Sequence, residues 1–213
     1  SLNQGTALLK DYPLNIDIRK IVASIYLKLS QHENAIHNLR LILRVKPDDA
    51  DVYAQLAQCH NEMGEHEIGK RITDYALKVE PTLAIAYNHL GNSFHEMGNL
   101  KAALSQYFKA AILTPNYFDV YYNIGISFNG LGYYTIARSN YAKGIVLRQN
   151  DARIYNNLGN CLDSLGFYER AIEAYENAIE VAPTYGKAKF NLGVAFYSLG
   201  KLSDAAEYFA STD

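Results

Sequence analysis

The residues with chemical potential fall into motif-like clusters and regularly spaced side-chain amides. Residues 64 to 70, GEHEIGK, have the spacing of a phosphate-cradling loop. Arg71 stands where such a loop needs a magnesium-binding Ser or Thr, and Glu65 and Glu67 would repel phosphate. The segment also reads as a turn and a helix, whereas a phosphate loop follows a strand. His32 and His37 resemble a zinc-protease pair with one residue too many, and five helical residues turn the two rings roughly 140° apart. Cys59 and Cys161 have no base supplied nearby and read as small packing residues rather than nucleophiles or a disulfide. No catalytic, metal or cofactor site follows from these clusters, and the chain is expected not to be an enzyme. Gln55, Asn123, Asn157 and Asn191 remain, spaced by multiples of 34 residues with His89 filling the open slot. An amide both donates and accepts a hydrogen bond, so a row of them can grip peptide backbone whatever its sequence.

That spacing belongs to the whole chain. Pro13, Pro47, Pro81, Pro115 and Pro183 obey the same 34-residue period, with Gln149 in the one slot lacking proline. Placing the proline slot at position 32 of a unit gives full units at 16–49, 50–83, 84–117, 118–151 and 152–185. A partial unit, 1–15, precedes them and an incomplete one, 186–213, follows. Within each unit the apolar positions 4, 7, 8, 11 and 20, 24, 27 are two stripes of 3.6-residue periodicity, hence two helices. Gly64, Gly98, Gly132, Gly166 and Gly200 recur at position 15, where a left-handed residue ends the first helix. Small residues at 8, 20 and 27 permit close helix approach, and aromatics at 4, 11 or 24 fill the space. The frame weakens where Arg19 and Lys189 replace the position 4 aromatic and Ser30 replaces the turn glycine. It weakens again in unit 50–83, where Gly69 and Thr73 predict a looser second helix.

Tyr87, Leu90, Gly91, Phe94, Gly98, Ala103, Tyr107, Ala110 and Pro115 fall at positions 4, 7, 8, 11, 15, 20, 24, 27 and 32. Tyr155, Leu158, Gly159, Leu162, Gly166, Ala171, Tyr175, Ala178 and Pro183 match equally. This pattern resembles the tetratricopeptide repeat over nearly the whole chain, read as one array of residues 1–213. The resemblance implies an all-α fold, a right-handed α-solenoid of antiparallel helix pairs whose concave wall is built by the first helix of each pair. Positions 2, 5, 6, 9, 12 and 13 would then face the groove. They include Gln55, Asn88, His89, Asn92, Asn123, Asn156, Asn157, Asn160 and Asn191, with Arg153 at position 2. Tyr122, Ile126, Phe190 and Val194 also fall on groove positions, either as anchors for a ligand's side chains or as packing against an adjacent unit. The amide row is similar to the asparagine ladder of O-linked N-acetylglucosamine transferases, although Ile21, Gln55 and His89 interrupt it; an ordinary solvated polar face is the alternative. Some tetratricopeptide repeats clamp a terminal carboxylate. Here Asn92, Asn123 and Arg153 fit that pattern, but Asn88 and Asn157 stand where Lys and Arg belong.

Composition narrows the partners. Twenty Lys and Arg against 22 Asp and Glu give a net charge of −2, which argues against a nucleic-acid ligand. No apolar run reaches the roughly 20 residues of a membrane span. Two cysteines and no glycosylation sequon fit a cytoplasmic or nuclear setting. The chain begins inside a second helix without an initiator Met and stops within a unit, as a piece excised from a longer protein would. The expected function is a scaffold for a protein or peptide ligand, with self-association possible through the uncovered end near Phe209. The alternative is the substrate-recruiting arm of a larger enzyme such as an O-GlcNAc-type glycosyltransferase. Replacing Asn123 and Asn157 together by Ala is expected to leave helicity unchanged in circular dichroism, whereas Ala110→Leu should lower stability by about 1–3 kcal/mol through overpacking.

Overall fold

The computed structural model describes residues 2–13 and 15–210 and is all-helical, with 13 helices and no strand among the described residues. Ser1, Leu14 and residues 211–213, which the sequence reading assigned to the partial first and incomplete last units, lie outside the described residues. The chain divides into two compact units, Ser1–Pro115 and Asn116–Asp213. The first contains α1 (Leu2–Asp11), α2 (Ile16–Lys28), α3 (His32–Val45), α4 (Ala50–Glu62), α5 (His66–Val79), α6 (Ala84–Glu96) and α7 (Leu100–Leu113). The second contains α8 (Phe118–Gly130), α9 (Tyr134–Leu147), α10 (Ala152–Ser164), α11 (Tyr168–Val181), α12 (Gly186–Ser198) and α13 (Leu202–Ala210). In each unit successive helices pack on one another and short turns join them, the helix-pair stacking of an α-solenoid.

The turns follow from two kinds of residue. At Gly64 the backbone is left-handed, φ 81°; the Gly64 N–H reaches the Asn61 carbonyl at 3.0 Å and the Glu65 N–H reaches that of His60 at 2.8 Å. This satisfies the last carbonyls of α4. The same pair of bonds closes α2 around Ser30, the one described non-glycine residue with positive φ, at 54°. At the other end of each pair, the residue before the proline slot is extended: Lys46 has φ −130° and Glu80 −134°. Proline's ring forces that geometry on its predecessor. Arg148, which precedes Gln149, adopts it as well, at φ −150°. The prolines lie inside the interhelix turn, where they stop one helix, rather than at the first residue of the next.

Side-chain volume sets the approach of the paired helices. A Cβ added to Gly91 would lie 2.4 Å from the Tyr107 ring; Gly125 and Tyr141 give 2.3 Å, and Gly159 and Tyr175 give 2.4 Å. Each ring therefore rests on glycine backbone across its helix pair. In α4 and α5 the same two positions hold Ala57 and Thr73, both fully buried, so a larger residue on one side is matched by a smaller one on the other.

Urea denaturation should register both devices. Ser30→Gly relieves left-handed strain and is expected to stabilise by about 0.5–1 kcal/mol. Gly159→Ala drives a methyl into the Tyr175 ring and is expected to destabilise by about 1–3 kcal/mol.

Candidate functional site

In the second unit α10 contacts both α8 and α12, and these first helices line a cavity of about 490 Å³. Tyr122 of α8, Asn156, Asn157 and Asn160 of α10, and Phe190 and Asn191 of α12 contribute to it, with Tyr185, Gly186 and Lys187 at the entry to α12. The asparagines reach it because positions 5, 6 and 9 share one side of a helix.

They bond first to one another. Asn191 Nδ2 donates to Asn156 Oδ1 at 2.9 Å and to Asn160 Oδ1 at 3.0 Å, while Tyr175 Oη donates to Asn160 Oδ1 at 2.8 Å. Asn157 Nδ2 donates to Tyr122 Oη at 3.3 Å, and Asn156 Nδ2 approaches Asn157 Oδ1 at 3.5 Å. Asn160 Oδ1 is thus occupied twice, and the network leaves Asn160 Nδ2 as a donor and Asn191 Oδ1 as an acceptor for a ligand. The only formal charge in the lining is Lys187, an exposed residue with no ion pair among the described residues. Beside the cavity, Arg153 lies 5.2 Å above the Tyr122 ring and donates to Asp151 through Nε at 2.9 Å and Nη2 at 2.6 Å. The hydrogen bond from Arg153 holds the Asp151 carboxyl below its usual range, and the same bond raises Arg153. Burial pushes the Tyr122 and Tyr185 hydroxyls up, so both remain neutral hydrogen-bonding groups.

The remaining sequence-derived positions are distributed differently. Ile126 packs into the α8–α10 core, Val194 is exposed outside the cavity lining, and Asn123 is partly buried. Phe190 is 53% exposed, with its ring 5.7 Å from Phe209, whose exposure is 36%. In the first unit Asn92 accepts from Tyr107 Oη at 2.9 Å, repeating the Asn160–Tyr175 bond. Asn88, His89 and Asn156 are buried, and Asn156 nevertheless borders the cavity. Buried Gln55 Oε1 and His89 Nε2 have no hydrogen-bond partner among the described residues. Sequence reasoning missed Tyr185, Gly186 and Lys187. Lys187 occupies groove position 2 and was accessible to it, whereas Tyr185 and Gly186 belong to the turn and helix start, outside the groove set.

Burial pushes the Cys59 and Cys161 thiols up to about 12, which removes thiolate nucleophilicity at neutral pH. Among the described residues no three His, Cys, Asp or Glu gather around a possible metal position, and no helix is long and apolar enough to cross a membrane.

Burial also pushes His89 down to about 4, against an ordinary value near 6.5. Between those values the unfolded chain binds more protons than the folded one, so stability falls as pH is lowered through that window. Wild type should therefore lose on the order of 1–2 kcal/mol more than His89→Asn between pH 7.5 and 5, read from urea midpoints at the two pH values.

Three family models match the sequence. Two describe the tetratricopeptide repeat, on residues 158–212 and 21–49, and one the TPR repeat, on residues 91–132; together they span more than half of the chain. Comparison with curated proteins gives no match. Among solved structures, the crystal structure of MamA is 25% identical with a TM-score of 0.67, over 74% of this chain and 92% of that one. YrrB, a TPR protein with an unusual peptide-binding site, is 22% identical with a TM-score of 0.65, over 82% and 90% of the two chains. Pseudomonas aeruginosa PilF is 20% identical with a TM-score of 0.79, over 91% and 88%. The last two likenesses bear on the fold alone.

Proposed function

This chain belongs to the tetratricopeptide-repeat family, and on that footing we propose that it is a non-catalytic protein-interaction scaffold whose second unit holds an extended peptide between α8, α10 and α12. The observation that carries this reading is the unspent hydrogen-bonding capacity of the asparagine network. Asn160 Nδ2 and Asn191 Oδ1 belong to side chains that are themselves joined at 3.0 Å. An extended residue presents its own N–H and C=O on one edge, so a neighbouring donor and acceptor can take both together. The bonds among the asparagines fix their rotamers before the ligand arrives, which lowers the ordering cost of binding. Phe190, half exposed at the cavity wall, offers an apolar surface for one side chain of the peptide.

Backbone capture by amides and side-chain capture by Phe190 separate experimentally. Random peptides selected by display on wild type and titrated by fluorescence anisotropy should bind Asn160→Ala/Asn191→Ala about tenfold or more weakly, whatever their sequence. Phe190→Ala should weaken only those with a large apolar residue in register. Selected peptides that bind all variants as tightly as wild type would remove the groove from the function.

A further inference from the structure

A second surface, on α4 and α5, departs from the pattern of the other helix pairs. Positions 19, 23 and 26 of the second helix carry Ala102, Gln106 and Lys109 in α7, Ile136, Asn140 and Lys143 in α9, and Arg170, Ala174 and Asn177 in α11. In α3 they are Asn34, Asn38 and Leu41. Each of these sets includes polar or charged residues, so helix pairing does not demand an apolar face there. In α5 the same positions are Ile68, Ile72 and Tyr75, which are apolar or aromatic throughout.

With Tyr53 and Arg71 these residues line an open cavity of about 390 Å³. The Tyr53 and Tyr75 rings meet edge to face with centroids 4.6 Å apart, and Tyr53 Oη donates to the Pro47 carbonyl at 3.1 Å. Ile72 packs against the α2–α4 core, so the floor is anchored from below. Tyr75 is nevertheless 46% exposed. Arg71 is exposed, has no ion pair among the described residues, and shares the lining with no carboxylate. None of the five lies on the groove positions, so the surface is separate from the asparagine network.

The geometry points to a docking site for a partner protein that inserts one large apolar side chain beside Tyr53 and Tyr75 and places an adjacent Asp or Glu against Arg71. The depression is open, which suits a side chain protruding from a peptide better than an enclosed small molecule. The unpaired guanidinium supplies the charge complementarity that selects an acidic neighbour and offers it a two-point hydrogen bond.

The test uses the whole chain and an array of acetylated hexapeptides, each with one Phe, Trp, Tyr or Leu beside Asp or Glu, together with the matching Asn and Gln peptides. Anisotropy titrations of the best binders should show about tenfold preference for the acid over its amide. Arg71→Gln, a surface change, should abolish that preference, and Tyr75→Ala should weaken both peptides by about tenfold or more. The titrations are run in the Asn160→Ala/Asn191→Ala background, which removes the groove's sequence-independent capture, so the acid preference and the dependence on Tyr75 should both persist there. Absence of binding, an acid preference surviving Arg71→Gln, or affinity unaffected by Tyr75→Ala would each overturn the assignment. So would a wild-type dimer in sedimentation that dissociates in Tyr75→Ala, because the occupant would then be a second copy.

Discussion

A tyrosine ring resting on the bare backbone of a glycine recurs through this chain. At Gly91, Gly125 and Gly159 the facing ring already fills the space a Cβ would need, with prospective contacts of 2.3–2.4 Å. The paired helices therefore approach at a distance set by ring thickness against main chain. That contact gives each pair a large buried aromatic area and leaves little freedom to slide. It also carries the tyrosine hydroxyl through the pair toward position 9, where Tyr107 meets Asn92 and Tyr175 meets Asn160. Core packing and polar surface are thus parts of one arrangement.

The amides take part in this coupling. Asparagine is a mediocre helix former, costing roughly 0.5 kcal/mol relative to alanine, and α10 carries three. Hydrogen bonds between neighbouring first helices offset that cost, since Asn191 bridges from α12 to both Asn156 and Asn160. The side chains that the proposed function assigns to a ligand are thus already held in place by bonds that join the helices. Arg153, exposed and close by, is neutralised by Asp151, which leaves Lys187 as the charge at the cavity.

Much of the architecture was legible because its signals are periodic and backbone-based. Five prolines and five turn glycines share one spacing, and each acts through φ restriction or φ freedom that needs no tertiary context. The groove was legible in part. Periodicity put Asn156 and Asn157 on the same stretch of helix, but the depth of each depends on the neighbouring helix, which buries the first and leaves the second partly open. Tyr185 escaped notice because it enters from a turn rather than a helix face. The α5 surface was present in the residue types at Ile68, Ile72 and Tyr75, yet it becomes visible only when equivalent positions are compared across pairs and the cavity between their side chains is seen.

The double occupancy of Asn160 Oδ1 has a mechanical consequence. One lone pair faces a hydroxyl whose ring is wedged on Gly159, and the other faces the amide of Asn191. If a ligand drew Asn191 away, as the proposed function allows, that oxygen would keep only the Tyr175 hydroxyl as its donor, and the change would reach the Tyr175 ring. On the proposed function, groove occupancy would therefore be felt at the Tyr175 ring, one of 18 tyrosines in a chain without tryptophan.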